Sequence, residues 1–199
     1  TVLSRGLGDV YKRQEHMEFY GSFANLRGAF KDFIEKVPFY GFAVLCIDNS
    51  EVKRLALEIS DRKIITYGFN EQAEVRGGNV RNIENGSLFD VEINLDQQNI
   101  TIKDIFLPML GNHNILNSLA AITIALKFGV SAAEIKSSLK SFLGVKRRLT
   151  ITGKVKDITI IDDYGHHPTE IIASLSALKN MDNIKTVSYT HLRAHETRP

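Results

Sequence analysis

The sequence has a single cysteine and no long apolar run. With one cysteine among 199 residues, a disulfide framework is excluded and a reducing compartment is favoured. Cys46 lies in the apolar run 42–47, where we expect it to pack in the core. No apolar stretch approaches the roughly 20 residues that cross a bilayer, and no charged-then-apolar leader opens the chain. We therefore expect a cytoplasmic protein without membrane insertion.

The chain also lacks a marked excess of charge of either sign. Its net charge of +2 comes from 25 basic and 23 acidic residues, and residues 1–14 and 187–199 supply the excess of bases. Residues 15–186 hold 20 basic and 21 acidic side chains, which does not suggest a nucleic-acid partner. Neither end carries a capping signal or an apolar period that continues into its neighbour, so we expect both ends to be non-native and outside the fold.

Apolar periodicity predicts an α/β fold for residues 15–186. A segment without periodicity at 144–148 marks a domain boundary, so we expect one domain over 15–145 and a second over 146–186. Asn85-Gly86 indicates a hairpin. The predicted elements of the first domain are a helix over 19–33, strands around Val44 and over 63–67, a β-rich segment over 75–102, a helix over 114–128 that ends at Gly129, and a helix over 131–142 with a capping box.

The densest polar run, residues 162–170, follows the apolar segment 158–161, which predicts a strand buried on both faces. Pro168 suits the first turn of a helix whose apolar residues recur at helical spacing. The loop at 162–167 contains two acids, a tyrosine and two histidines, and open α/β sheets bind ligands at the carboxyl ends of their strands. We interpret the run as part of a ligand site; the alternative is a turn with an aspartate cap. A further strand is expected from Ile184.

A second polar cluster lies at the beginning of the helix over 114–128. On a helical wheel, His113, Asn114 and Asn117 fall within an arc of about 100°. Their imidazole and amide groups provide paired donors and acceptors, which suit a purine edge, and the helix dipole favours a ligand with negative charge. For Asn114, helix capping together with a satisfied buried amide is the alternative.

Two further groups of charged side chains could serve phosphate chemistry. Lys146, Arg147 and Arg148 lie at the predicted domain boundary, and guanidinium groups bind phosphoryl oxygens bidentately. A solvated basic patch is the alternative for this triplet. His16, with Glu15 beside it, could bind a divalent metal, and phosphate chemistry normally needs such an ion; the alternative is a surface histidine.

Taken together, six motifs resemble those of the Mur ligases: His16-Met17, Pro38-Phe39-Tyr40-Gly41, Ile65-Thr66-Tyr67-Gly68, Gly111 to Asn117, Gly144 to Arg148, and Asp162 to Glu170. The resemblance extends over residues 15–186. It implies the C-terminal half of a Mur ligase central ATPase domain, followed by the start of a Rossmann-like C-terminal domain, with ATP and Mg²⁺ or Mn²⁺ as cofactors. By motif, it implies a metal ligand at His16, adenine-side residues at His113, Asn114 and Asn117, a phosphate-binding residue at Arg148, a ribose-binding residue at Asp163, and substrate-cleft residues at Tyr164 and His166.

The resemblance is closest to the family members that join L-alanine to UDP-N-acetylmuramate through an acyl phosphate in peptidoglycan synthesis. Tyr164, Gly165 and Glu170 favour these members over those that recycle murein tripeptide. The phosphate loop of the family, G-x-x-x-x-G-K-[ST], does not occur in this sequence. We therefore expect an internal fragment that is inactive by itself. A non-catalytic nucleotide-binding module is the alternative from a different class.

Overall fold

The structure is a computed structural model that describes residues 2–3, 20–83, 86–165, 168–179 and 185–188. The described helices and strands belong to an α/β arrangement with a large and a small sheet. In chain order, they are β1 (Val2–Leu3), α1 (Phe23–Glu35), β2 (Ala43–Cys46), α2 (Ser50–Glu58), β3 (Ile64–Gly68), β4 (Val75–Ile83), β5 (Gly86–Leu95), β6 (Gln98–Leu107), α3 (Asn112–Lys127), α4 (Ala132–Lys140), β7 (Thr150–Val155), β8 (Ile158–Asp162) and α5 (Pro168–Lys179).

Strands β1 to β6 form one mixed sheet, in the order in which they occur along the chain. The first four strands run parallel, with Val44 beside Ile65 and Tyr67 beside Val75, and β4 to β6 form two antiparallel pairs. The predicted α/β class is therefore confirmed. The hairpin between β4 and β5 is confirmed too, although Asn85 of its predicted turn lies outside the described residues.

Strand β2 is buried along its whole length. Because successive side chains of a strand point to opposite faces, Ala43 and Leu45 pack in one core cluster with α1 and α2, and Val44 and Cys46 pack in another with α3. Cys46 is 6% exposed, which confirms its predicted place in the core. Full burial of one aliphatic side chain contributes about 1.5–3 kcal/mol, so the two clusters hold the sheet between layers of helix.

The helices predicted from apolar periodicity are observed as α1, α3, α4 and α5. The capping box of α4 is present, with Ser131 and Glu134 bonded to each other's backbone N–H groups. Helix α2 was not predicted; its N-cap, Asn49, accepts hydrogen bonds from the N–H groups of Glu51 and Val52 at 2.9 and 3.2 Å. Within the described ranges, none of the helices combines the length and the apolar character that crossing a membrane requires.

Strands β7 and β8 form a separate antiparallel pair, which is followed by α5. The prediction that residues 158–161 are buried on both faces is wrong, because Ile158 is 66% and Ile160 is 51% exposed. The physical reason is the small size of this sheet. In the described part of the chain β8 pairs with β7 alone, and the apolar side chains of β7, Ile151 and Val155, are exposed as well.

The two ends of the chain differ in part from the predictions. Val2 and Leu3 pair with Val44 and Leu45, whereas the sequence places residues 1–14 outside the fold. An unpaired sheet edge is a template for any extended segment, and the other residues of 1–14 that precede α1 lie outside the described ranges. Residues 185–188 belong to neither helix nor strand, so the strand predicted from Ile184 is not observed over them. The domain boundary near residue 146 stays a prediction.

Candidate functional site

Helix α3 begins at a buried glycine. Gly111 is the N-cap residue, with a φ of +93°, and no side chain within the described ranges caps this helix. A Cβ at this position would lie 2.8 Å from two ring atoms of His113 and 3.1 Å from the Cβ of Ala177. The N–H group of Asn114 donates to the carbonyl of Gly111 at 2.9 Å. The absence of a side chain at Gly111 thus leaves room for the His113 ring and for α5 beside the start of α3.

The three predicted purine-binding residues of α3 lie in different environments. Asn114 is 7% exposed, and its Nδ2 donates to the carbonyl of Leu110 at 2.8 Å. This contact matches the alternative interpretation, in which Asn114 is a satisfied buried amide. The His113 side chain is half-buried and the Asn117 side chain is exposed. The ligand roles of all three stay predictions, and Asn114 has a structural role as well.

The linker between α4 and β7, residues 141–149, carries Arg148 and is fixed to the loop after β8. The N–H group of Tyr164 donates to the carbonyl of Arg147 at 2.8 Å, and the N–H group of Leu149 donates to Oδ2 of Asp163 at 2.9 Å. Arg147 and Leu149 have φ values of +60° and +49°, which residues other than glycine adopt uncommonly. The two hydrogen bonds therefore hold the backbone of Arg148 between two anchored neighbours.

Asp163, the predicted ribose ligand, orders the backbone around it. In addition to the Leu149 contact, its Oδ1 accepts a hydrogen bond from the N–H group of Gly165 at 2.7 Å. A Cβ at residue 165 would lie 2.6 Å from this oxygen, so a glycine permits the close approach. Because each carboxylate oxygen has two lone pairs, the side chain retains acceptor capacity for a ribose hydroxyl. Its ribose-binding role stays a prediction.

The ring of Tyr164 lies beside two guanidinium groups. The Cζ atoms of Arg147 and Arg148 are 5.0 and 6.0 Å from its centroid, within the range of cation–π contacts. Each guanidinium also faces a carboxylate: Nε of Arg147 is 3.5 Å from Oδ2 of Asp162, and Nη1 of Arg148 is 3.8 Å from Oε1 of Glu170. The structure thus brings the predicted phosphate-binding residue next to a predicted cleft residue.

The pairing of Glu170 with Arg148 was not predicted from the sequence. The side chain of Glu170 is only 13% exposed, and it lies in the first turn of α5. One signal could have drawn attention to it: an acid shortly after Pro168, at a helix N-terminus, is stabilised by the helix dipole. That signal does not identify Arg148 as the partner, because the two residues are far apart in the sequence.

Packing contacts join the linker and α5 to the segment that leads into α3. Ala177 of α5 is 5% exposed and lies against Gly111, and a Cβ at Gly144 would be 3.8 Å from Sδ of Met109. The polar group on α3 and the polar group around Arg148 therefore lie on neighbouring parts of the molecule. Two concavities of about 230 and 220 Å³ occur elsewhere, and none of the predicted site residues lines them.

The described residues around α3 and Arg148 offer hydrogen-bond donors to an anionic ligand. Two guanidinium groups and a helix N-terminus without a side-chain cap offer donors to anionic oxygens. In the part of the chain that the structure describes, no group of three or more His, Cys, Asp or Glu residues could hold a metal ion. The predicted metal ligand, His16, and the predicted cleft residue His166 lie outside the described residues.

Comparison with known proteins identifies the family. The Mur ligase middle domain matches residues 13–125, and the Mur ligase glutamate ligase domain matches residues 147–190. The chain is 51% identical over 167 residues to a UDP-N-acetylmuramate–L-alanine ligase of Agrobacterium fabrum, and 50% identical over 175 residues to one of Maricaulis maris. These alignments cover 83% and 87% of this chain but 36% and 37% of the relatives, so the chain spans about a third of their length.

A solved structure agrees with this assignment. The UDP-N-acetylmuramate–alanine ligase of Thermotoga maritima superposes with a TM-score of 0.67 at 26% identity, over 84% of this chain and 36% of that one. The two family domains themselves match the residues of the larger sheet from β2 onward and the region of Arg148. The chain therefore belongs to the Mur ligase family, and it contains parts of the middle and C-terminal domains.

Proposed function

We propose that the chain is part of a cytoplasmic bacterial ligase that uses ATP to join L-alanine to UDP-N-acetylmuramate in peptidoglycan synthesis. The observation that carries the proposal is the identity of about half to UDP-N-acetylmuramate–L-alanine ligases over most of the chain. The local geometry supports it, because the two guanidinium groups and the polar end of α3 suit an anionic nucleotide.

The proposed reaction has two steps. The carboxylate of the muramyl group accepts the γ-phosphoryl group of ATP and becomes an acyl phosphate, and ADP is released. The neutral amine of L-alanine then attacks the acyl carbon, the C–O bond breaks, and inorganic phosphate leaves with its electron pair. The amine nitrogen loses one proton to water as the amide forms. Catalysis of such phosphoryl transfers depends mainly on positioning and on neutralisation of charge.

In this proposal the residues of the chain bind and orient the nucleotide. Arg148 contacts the phosphates, and Asp163 accepts from the ribose hydroxyls through its remaining lone pairs. His113, Asn114 and Asn117 lie on the adenine side. Tyr164, whose ring supports the Arg148 guanidinium, lines the cleft. The other proposed cleft residue is His166.

A divalent metal completes the proposal. Mur ligases use ATP with Mg²⁺ in general, and we assign Mg²⁺, or Mn²⁺ in its place, to His16. When bound, the ion would neutralise phosphate charge. The chain has no G-x-x-x-x-G-K-[ST] sequence to surround the β- and γ-phosphates.

The test uses the complete protein encoded at the locus, recovered by sequencing outward from both ends of this segment. The purified protein is mixed with ATP, Mg²⁺, UDP-N-acetylmuramate and L-alanine, and both ADP release and the amide product are measured. We expect repeated turnover of ATP to ADP only when UDP-N-acetylmuramate and L-alanine are both present, because the acyl phosphate is not consumed without the amine. Preference for murein tripeptide over free alanine would instead assign the protein to tripeptide recycling.

The 199-residue chain by itself is the matched comparison. Because it has no phosphate loop, we expect no ligation, and ATP-dependent alanine ligation by this chain would contradict that expectation. If the complete protein bound ATP but formed no amide with either L-alanine or murein tripeptide, the ligase proposal would fail and a nucleotide-binding module would replace it.

A further inference from the structure

Glu170 presents a mostly buried carboxylate to Arg148. Its side chain is 13% exposed, and its Oε1 lies 3.8 Å from Nη1 of the arginine. A carboxylate removed from water is costly unless a cation or hydrogen-bond donors compensate it. The first turn of α5 contributes part of this compensation through the helix dipole, and Arg148 supplies a full positive charge.

The backbone of Arg148 is fixed, but its side chain needs its own support. The hydrogen bonds at Arg147 and Leu149 anchor the residues on either side, whereas the Arg148 side chain extends beyond them and is 42% exposed. A free arginine side chain has about 2 kcal/mol of rotamer entropy to lose on binding a ligand. The Tyr164 ring, 6.0 Å away, limits the guanidinium on one side, and Glu170 limits it on another.

We propose that Glu170 is a positioning residue, which holds the Arg148 guanidinium against Tyr164 in the orientation that binds phosphate. The inference rests on the proposed function, in which Arg148 contacts the phosphates of ATP. A separation of 3.8 Å is an ion pair and not a direct hydrogen bond. The guanidinium has five N–H donors in a planar fork, so pairing through Nη1 leaves its other donors for phosphate oxygens.

Whether removal of the Glu170 carboxylate weakens or tightens ATP binding distinguishes a positioning role from a simple effect of its charge. The carboxylate of Glu170 is negative, so by charge alone it repels the phosphates, and its removal would tighten ATP binding. If Glu170 acts by orienting Arg148, its removal weakens ATP binding, because the arginine must then be ordered by the ligand itself. The two effects oppose each other, and we expect positioning to dominate because the carboxylate is already neutralised by its pairing with Arg148.

The experiment is a double-mutant cycle on Glu170 and Arg148 in the complete protein, read as KM for ATP and kcat. We expect Glu170→Ala to raise KM for ATP about tenfold while kcat changes less than about twofold. Glu170→Gln, which keeps the size and loses the charge, is expected to behave like Ala, and Glu170→Asp to recover part of the affinity. In an Arg148→Ala background, Glu170→Ala should have no further effect.

Glu92→Ala is the matched control. Glu92 is paired with Arg76 at 2.7 Å on the hairpin of β4 and β5, far along the chain from the linker, and we expect its removal to leave KM unchanged. A lower KM in Glu170→Ala, a normal KM in Glu170→Gln, or an equal loss in the Arg148→Ala background would each overturn the inference.

Failure of the proposed function is recognised separately. If the complete protein forms no amide from alanine, the same cycle is measured as the Kd of a non-hydrolysable ATP analogue by calorimetry. Coupling between Glu170 and Arg148 in that measurement supports the positioning role without the ligase. Additive or absent effects there contradict it. If ligation proceeds and Arg148→Ala leaves KM unchanged, the phosphate role of Arg148 fails, and the positioning role fails with it.

Discussion

Gly111 determines how closely the first turn of α3 and helix α5 pack together. Its φ of +93° lies in the region where L side chains are strained. Its missing side chain leaves space for the His113 ring and for Ala177 of α5. Any other residue at this position would therefore have a strained backbone and would also clash with its neighbours. Both effects concern the first turn of α3, where the predicted adenine-side residues begin.

We predict that Gly111→Ala destabilises the complete protein more than Gly129→Ala does. Gly129 also has a positive φ, +79°, but a Cβ there would have no atom within 4 Å, so its substitution costs about 1 kcal/mol from the backbone alone. Gly111→Ala adds an overpacking cost of about 1–3 kcal/mol. Urea denaturation measures both free energies of unfolding, and equal losses would show that the packing against His113 and Ala177 is unimportant.

At the scale of residues, the sequence indicates candidate side chains but not their contacts. The polar loop after a strand and the basic triplet draw attention to Asp163, Tyr164 and Arg148, and the resemblance to the Mur ligases implies their ribose, cleft and phosphate roles, which stay predictions. It does not predict that Asp163 accepts from the N–H of Leu149, since that contact exists only after β7 and β8 have paired and returned the chain to the linker. The partner of Arg148, Glu170, was missed for the same reason.

At the scale of elements, one carboxylate ties together three of them. Asp96, in the turn between β5 and β6, accepts from Nζ of Lys127 at 2.6 Å and from Nζ of Lys63 at 3.3 Å. Lys127 is in the last turn of α3, and Lys63 precedes β3. The hydrogen bonds from Lys127 and then Lys63 lower the pKa of Asp96, and the Asp96 carboxylate raises the pKa of Lys127.

We predict that Asp96→Asn reduces the loss of stability in acid. The pKa of Asp96 is lower in the folded protein than in the unfolded chain, where it is about 4. Asp96 therefore contributes to the free energy of unfolding at pH values above about 4, and this contribution is lost as the pH falls through the lower pKa of the folded state. The Tm of the wild type should therefore fall more between about pH 6 and pH 3 than the Tm of the variant.

Asp61→Asn is the control for this pH series. Asp61 pairs with its neighbour Arg62 at 2.8 Å, so it joins no separate elements, and we expect the variant to keep the acid sensitivity of the wild type. Because Asp96 is exposed, about 1 M salt should narrow the difference between wild type and Asp96→Asn. An identical acid response in Asp96→Asn and the wild type would contradict the prediction.

Periodicity predicts a helix best where a signal at the helix end agrees with it. A glycine follows α3 and a capping box opens α4, so both could be predicted although α4 has only nine residues. Helix α2 also has nine residues, of which Val52 and Leu55 are buried, but neither a capping box nor a terminal glycine distinguishes it from a loop. The burial of β8 was wrongly predicted. Its apolar sequence indicates that its side chains favour burial, but whether they are buried depends on which other elements cover the strand.

At the scale of the whole molecule, the periodic pattern of apolar residues did not predict how the strands are arranged in the sheets. Alternation predicts strands, but it does not give their order, and the parallel pairing of β1 to β4 with the antiparallel pairing of β4 to β6 appears only in the structure. The domain boundary was predicted from the aperiodic segment 144–148, and the identity of the two domains came from the resemblance of the motifs to the Mur ligases. Family membership is confirmed independently by the matches over residues 13–125 and 147–190.

The exposed apolar side chains of β7 and β8 lead to a prediction about the 199-residue chain. Val155 is opposite Ile158 in the antiparallel register, and Ile160 is on the same face as Ile158 because side chains alternate. These three side chains are between 51% and 66% exposed. An exposed apolar sheet with an unpaired edge promotes association between chains, so we expect this chain to self-associate.

We predict that the double variant Ile158→Thr, Ile160→Thr lowers this self-association, because threonine keeps the strand propensity and removes apolar surface. Sedimentation velocity measures the monomer fraction, and circular dichroism checks that the larger sheet is retained. Leu143→Thr is the control: Leu143 is 99% exposed but lies outside both sheets, so its change should leave association nearly unaltered. If Leu143→Thr has the larger effect, association depends on scattered apolar surface, and the face of β7 and β8 is not its cause.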